Sequence, residues 1–157
     1  MQAKDLMCPN PATCSPDTPI AEAARLMNEY DCGCLPVEQE HSAPRVVGVI
    51  TDRDIATRAV ARGKSPDTRV RDIMSADPSC CYPDDDVKSV ERIMAERQVR
   101  RVPVVNGDGG CVGIIAQADL ARSHVPAREL ARTVERISEP SPAPRRESPI
   151  GVHPARQ

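Results

Sequence analysis

The chain says most of what it says twice. Asp5-Leu6-Met7 returns as Asp72-Ile73-Met74, 67 residues later. The same offset carries Pro11 to Pro78, Cys14 to Cys81, Pro16-Asp17 to Pro83-Asp84, Arg25 to Arg92, Met27 to Met94, Glu29 to Glu96 and Pro36-Val37 to Pro103-Val104. Beyond that the offset falls to 65, from Gly48 to Gly113, because the first copy has a loop two residues longer. A register held that long means two copies of one supersecondary unit. At 157 residues the chain is either one ordinary domain or two small ones sharing a core. The first copy occupies residues 3–62 and the second 70–125, with a polar linker at 63–69 containing Ser65-Pro66-Asp67.

Each copy reads as an α/β unit. A short extended piece ends at Pro16 or Pro83. The spacing then predicts amphipathic helices over Ile20 to Tyr30 and Val87 to Arg97, with Ile20, Ala24 and Met27 on one apolar face and Val87, Val90 and Met94 on the other. Asp17-Thr18-Pro19 offers capping side chains and a proline for the first turn. Strands follow at Leu35-Pro36-Val37 and Val102 to Val105, whose internal prolines favour a sheet edge or a strand start. Asn106-Gly107-Asp108-Gly109-Gly110 is a hairpin turn. The next strands, Arg45 to Ile50 and Cys111 to Ile115, are nearly all apolar, which predicts burial. A second helix closes each unit, and Gly63 is placed to end the first. A further helix is expected over 126–137, with Leu130, Val134 and Ile137 along one face. The five prolines of 138–157, among serines and charges, predict a disordered tail.

Composition removes several classes of function. There is no Phe or Trp and only Tyr30 and Tyr82, so the core is aliphatic, and the near absence of rings counts against nucleic-acid binding by base stacking. A net charge of −2 gives no general attraction to a polyanion. No apolar run reaches the roughly 20 residues of a membrane span or forms a signal peptide, so a cytoplasmic location is expected. The seven cysteines are then expected as thiols. They show neither Cys-x-x-Cys nor a zinc-ligand spacing, and small buried hydrophobes are the expected role for most of them. His41, His124 and His153 lie apart, and no catalytic constellation emerges; neither enzymatic activity nor a required cofactor or metal is expected.

One junction carries chemistry. Gly48-Val49-Ile50-Thr51-Asp52-Arg53-Asp54-Ile55 runs from a strand into a helix, and its echo is Gly113-Ile114-Ile115-Ala116-Gln117-Ala118-Asp119-Leu120. Thr-x-x-Asp at a helix start approximates a capping box, worth about 1 kcal/mol and needing no ligand. The same helix end presents free N–H groups and a positive dipole, which favour a phosphate. The echo keeps Asp119 but has Ala116 in place of the threonine.

Two β-α-β-β-α copies with Asp72-Ile73-Met74, Arg100-Arg101-Val102-Pro103-Val104 and Gly48 to Ile55 resemble tandem CBS domains. The resemblance covers about residues 3–125 and is to a stand-alone bacterial CBS pair of the hypoxic-response type. It implies an α/β (α+β) fold in which the two repeats pack through their sheets as one pseudo-two-fold module, and a flat homodimer of such modules. It implies further that the cleft between repeats takes an adenosine-containing ligand such as AMP, ADP, ATP or S-adenosylmethionine. Thr51 and Asp54 match positions that bind ribose and α-phosphate, Asp119 matches the ribose aspartate of the second copy, and Arg101 matches a position that reaches phosphates. A guanidinium suits that role; Cys34, its counterpart in the first copy, does not. One competent site is therefore expected, in a regulatory module acting in trans on an unidentified protein partner. Two other readings remain open: a ligand-free dimeric scaffold in which Thr51 and Asp54 only cap a helix, and a thiol- or zinc-based stress sensor using Cys32/Cys34 or Cys80/Cys81.

Overall fold

The computed structural model describes residues 1–123 and 126–140. His124, Val125 and the expected disordered tail from 141 onward lie outside the described residues. In chain order the elements are α1 (Ala3–Leu6), β1 (Cys8–Pro9), α2 (Ile20–Glu29), β2 (Cys34–Glu40), β3 (Pro44–Thr51) and α3 (Asp52–Asp54). A π-helical turn (Ile55–Ala59), a 3-10 turn (Val60–Arg62) and a second 3-10 turn (Val70–Asp72) follow. Then come β4 (Ser75–Ala76), α4 (Val87–Arg97), β5 (Arg101–Val105), β6 (Cys111–Ala116), α5 (Gln117–Arg122) and α6 (Ala127–Ser138).

There are two three-stranded sheets, ordered β2-β3-β4 and β1-β6-β5. The partition in space differs from the partition in sequence, because the leading segment of each copy crosses to the other. β1 pairs with β6 of the second copy, and β4 pairs with β3 of the first. Ala3, Leu6 and Met7 join the core of Val87, Val90, Met94, Val102 and Val104, while Val70, Ile73 and Met74 join that of Ile20, Ala23, Met27, Leu35 and Ile50. Each exchange repeats in its hydrogen bonds. Ala3 N donates to Asp85 O (2.8 Å) as Val70 N does to Thr18 O (2.9 Å), and Lys4 N to Pro83 O (2.9 Å) as Arg71 N does to Pro16 O (3.0 Å). Exposed ion pairs join the same segments, Lys4 with Asp84 and Arg71 with Asp17. They are solvated and contribute little; the buried apolar side chains, at roughly 1.5–3 kcal/mol each, hold the exchange.

The prolines behave as strand-edge residues. Pro36 and Pro103 lie in edge strands, fully buried, and their carbonyls accept from Cys14 N (3.1 Å) and Cys81 N (3.0 Å). Gly63 ends its helical segment at φ +67°. The non-glycine residues at positive φ fall into two pairs 67 apart, Asn10 with Asp77 and Asp31 with Gln98, so the backbone repeats even in its left-handed turns.

Four expectations are corrected. β3 and β6 are fully buried only at alternate positions, Gly48 and Ile50 in one and Gly113 and Ile115 in the other, because each strand turns one face to its core. The buried face of α2 is Ile20, Ala23 and Met27, with Ala24 exposed; Ala23, not Ala24, is the counterpart of buried Val90. Pro19 is the N-cap of α2 and no side chain caps it, because Thr18 Oγ1 accepts instead from Ser15 N (3.0 Å) and Asp17 is paired with Arg71. In the second copy Asp86 does cap α4, accepting from Lys88 N (2.8 Å). On α6 the buried positions are Thr133 and Ile137, while Leu130 and Val134 are half-buried. The hydroxyl of Thr133 is satisfied inside the helix by Glu129 O (3.1 Å), which lets it sit against α4.

α6 lies along α4 and covers Glu91, which is only 8% exposed and whose Oε1 has no hydrogen-bond partner. Burial, and then Glu129 of α6, push the Glu91 carboxyl above its ordinary range. The folded chain thus holds this proton to higher pH than the unfolded chain, and stability falls as pH rises from 4.5 through the raised value. Glu91→Gln should therefore melt higher than wild type at pH 7. The gain should shrink as the pH drops below 4.5, which differential scanning calorimetry across that window checks.

Candidate nucleotide site between the repeats

β3 delivers Thr51 to the start of α3 because the strand ends where its pairing with Cys34 ends. There the capping box is complete. Thr51 Oγ1 accepts from Asp54 N (3.1 Å), and Asp54 Oδ2 accepts from Thr51 N (3.0 Å). The other oxygen of Asp54 faces Arg58 Nε at 3.5 Å, and the carboxylate stays 13% exposed. Arg58 stands on the π-helical turn and also donates to Ile73 O (3.0 Å), which fastens this corner to the exchanged segment of the second copy. Such π turns occur often at functional sites.

Thr51 and Asp54 open onto a cleft of about 630 Å³. Its other walls come from the second copy: Ser75, Ala76 and Asp77 of the exchanged segment, and Arg97, Arg100 and Arg101 between α4 and β5. Arg101 reaches across to the first copy, where it and Asp52 flank Gly33. Asp52 Oδ1 is occupied locally by Arg53 N (2.8 Å). Gln98 and Ile137 close one end. Gln98 Nε2 donates to Arg136 O (3.4 Å) and Glu139 O (3.2 Å), holding the end of α6 at the cleft.

Three of the four residues singled out from sequence thus share one cleft, and Asp119 is not among its walls. Asp119 stands at the pseudo-symmetric corner, where its Oδ2 accepts from Ala116 N (2.7 Å) and Ala116 has no side-chain oxygen to accept from Asp119 N in return. Sequence reasoning missed Arg97, Gln98 and Ile137, and it missed Ser75 to Asp77 because nothing in a repeat offset reveals that leading segments exchange. A larger open concavity of about 790 Å³ lies on the first copy, lined by Asp17, Glu22, Glu38 and Glu40 together with Arg71. Its acidic lining is unsuited to a phosphate.

Of the thiols, Cys14, Cys34 and Cys81 are buried and Cys8 is exposed. Burial pushes Cys14, Cys34 and Cys81 up to about 12 and Cys111 to about 11, which keeps them protonated and poor nucleophiles at neutral pH. The positive charge of Arg101 offsets part of the burial effect at Cys34. Among the described residues, no three His, Cys, Asp or Glu side chains converge as a metal site requires. No helix among them is long and apolar enough to cross a membrane.

Two exchanged α/β copies with a polar cleft between them define a tandem regulatory module, and the chain belongs to the CBS-domain family. The CBS-domain sequence model matches residues 3–61 and 70–125. The CBS domain-containing protein YhcV of Bacillus subtilis is 35% identical over 86% of this chain and 94% of its own. Hypoxic response protein 1 of Mycobacterium tuberculosis is 34% identical over 88% of this chain and 94% of its own. A crystal structure of Hypoxic Response Protein I with two coordinated zinc ions superposes with a TM-score of 0.70 at 31% identity, covering 80% of this chain and 100% of that one. The CBS domain pair of protein MJ0100, in complex with 5-methylthioadenosine and S-adenosyl-L-methionine, superposes with a TM-score of 0.70 at 30% identity, covering 78% and 94%.

Proposed function

We propose that this CBS pair is a non-enzymatic sensor that binds an adenosine-containing nucleotide in the Thr51–Asp54–Arg101 cleft and acts in trans on a protein partner. The observation that carries the reading is the meeting, in one cleft, of a hydroxyl and a carboxylate from the first copy with guanidinium groups from the second. Asp54 would accept from the ribose hydroxyls, Thr51 would bond the ribose or α-phosphate, and Arg101 would meet phosphate oxygens. The Asp119 corner lacks its hydroxyl, which favours one competent site per chain. The solved MJ0100 pair, with its adenosine-derived ligands, lends support.

The proposed units are residues 3–62 and 70–125, in a cytoplasmic homodimer with no required cofactor. A ligand touching both copies biases their arrangement only by as much as its affinity differs between the states. The contact of Ile137 and Gln98 with the cleft gives α6 a direct view of occupancy.

A thermal-shift screen against AMP, ADP, ATP and S-adenosylmethionine tests the proposal, since a ligand bound to the folded state alone raises the melting temperature. No shift at millimolar concentration with any of them would refute it. The completed capping box supports a second reading, a ligand-free scaffold. Thr51→Val separates the two. A cap alone predicts a melting temperature lower by about 2–4 °C for a loss of about 1 kcal/mol. The nucleotide reading predicts in addition a smaller ligand-induced shift.

A further inference from the structure

The internal repeat supplies a control for the cleft, because every wall residue except Ile137 of α6 has a counterpart in the other copy. Thr51, Asp52, Arg53 and Asp54 correspond to Ala116, Gln117, Ala118 and Asp119. Arg97, Arg100 and Arg101 correspond to Tyr30, Gly33 and Cys34. The four arginines that line the cleft are therefore all absent from the equivalent corner, while the ribose-type aspartate is kept in both. Arginine at these places is not a demand of the fold, which builds the equivalent positions of the other copy with tyrosine, glycine, cysteine and alanine.

Nor do the four arginines serve packing or pairing. Arg53, Arg97, Arg100 and Arg101 are all exposed, and among the described residues none has an ion-pair or hydrogen-bond partner for its guanidinium. The acidic groups in the same walls are partly occupied: Asp54 by Thr51 N and Arg58, and Asp52 by Arg53 N. Asp77 adds a third carboxylate on the exchanged segment. Three of the arginines lie within five residues on the second copy, facing the Thr51–Asp54 corner. Unpaired guanidinium groups collected on one wall repel each other unless an anion sits between them. Their fork geometry fits phosphate oxygens.

From this we infer that the cleft is a polyphosphate site, selecting di- and triphosphorylated adenosine ligands over adenosine itself and over S-adenosylmethionine. This deepens the nucleotide reading and rests on it. Asp54 holds the nucleoside end, common to all these ligands, and Arg97, Arg100 and Arg101 discriminate by charge at the other end. S-adenosylmethionine brings a sulfonium and an ammonium against one carboxylate, so it meets the arginine wall as a net cation. The other corner keeps the aspartate, Asp119, but has no counterpart of these arginines.

Calorimetric titration of the full chain with adenosine, AMP, ADP, ATP and S-adenosylmethionine at fixed ionic strength tests the inference. Affinity should climb with phosphate number, ADP exceeding adenosine by roughly tenfold or more if one guanidinium–phosphate contact is gained at the usual strength of a charged hydrogen bond. S-adenosylmethionine should be the weaker partner of AMP. The ratio of ADP to adenosine affinity should collapse in Arg97→Ala/Arg100→Ala and fall with added salt. Both substitutions are at exposed positions, and an unchanged melting temperature without ligand verifies the fold. S-adenosylmethionine binding as well as ADP, or an ADP-to-adenosine ratio untouched by the arginine variant, overturns the inference while leaving the nucleotide site standing. Failure of all five ligands to bind overturns both.

Discussion

Gly48→Val is expected to be the most damaging single substitution in the sheet, lowering stability by about 2–3 kcal/mol through overpacking and the melting temperature by roughly 5–10 °C. Gly48 lies where the exchanged segment of the second copy crosses β3. A Cβ built there would collide with the Met74 sulfur and stand 3.1 Å from the Ser75 carbonyl oxygen. The Met74 side chain can swing away; the Ser75 backbone, paired in the ladder, cannot. Gly113 occupies the counterpart place, where the three atoms nearest a Cβ all belong to Met7: its Sδ, its Cγ at 2.9 Å and its Cβ at 3.0 Å. The Met7 Cβ is fixed by its own backbone, so Gly113→Val should cost a comparable amount. Thermal denaturation of the two variants checks this, and a loss confined to Gly48→Val would contradict the geometry. Because Ser75 and Ala76 also line the cleft, Gly48→Val should weaken nucleotide binding too, whereas Gly113→Val should affect it far less.

The second large effect is expected at Asp54. In Asp54→Ala, Thr51 N loses its acceptor and Arg58 its carboxylate, so stability and binding fall together and neither change identifies a ligand contact. Asp54→Asn is the cleaner variant, since its amide oxygen can still cap Thr51 N. Its lost charge removes an ionised acceptor for the ribose hydroxyls, worth about 1.5–3 kcal/mol, or roughly 10–100-fold in affinity. Calorimetry should show that loss for ADP, with a melting temperature near wild type in the absence of ligand. A variant that binds ADP like wild type would remove Asp54 from the site and leave it a capping residue.

The fold was legible because the repeat is exact enough to be checked position by position. The helix Val87 to Arg97 and the hairpin at Asn106 to Gly110 lie where periodicity and turn chemistry put them. Local pattern misplaced the apolar face of α2, since Ala23 and Ala24 are equally small and both fit a helical spacing; only comparison with Val90 decides between them. The helix cap at Thr18 failed because an N-terminal neighbour, Ser15, competes for the same oxygen. Exchange of the leading segments was hidden for a more general reason. Asp5-Leu6-Met7 and Asp72-Ile73-Met74 are near-identical, so residue type does not show which sheet each completes. That exchange brings Ser75 to Asp77 into the cleft, and α6 brings Ile137, which no motif marks. Thr51, Asp54 and Arg101 were marked, together with Asp119, by the resemblance to CBS domains, and the structure places the first three along one cleft.

The central claim is that one cleft per chain, built from Thr51 and Asp54 on one side and the Arg97–Arg101 wall on the other, holds an adenosine nucleotide. A crystal structure of the chain grown with ADP tests it most directly. The account predicts density in this cleft alone, with the ribose hydroxyls on Asp54, the phosphates on the arginines, and the corner at Ala116 and Asp119 empty. ADP lodged at the Asp119 corner, or bound with its phosphates turned away from Arg100 and Arg101, would contradict it.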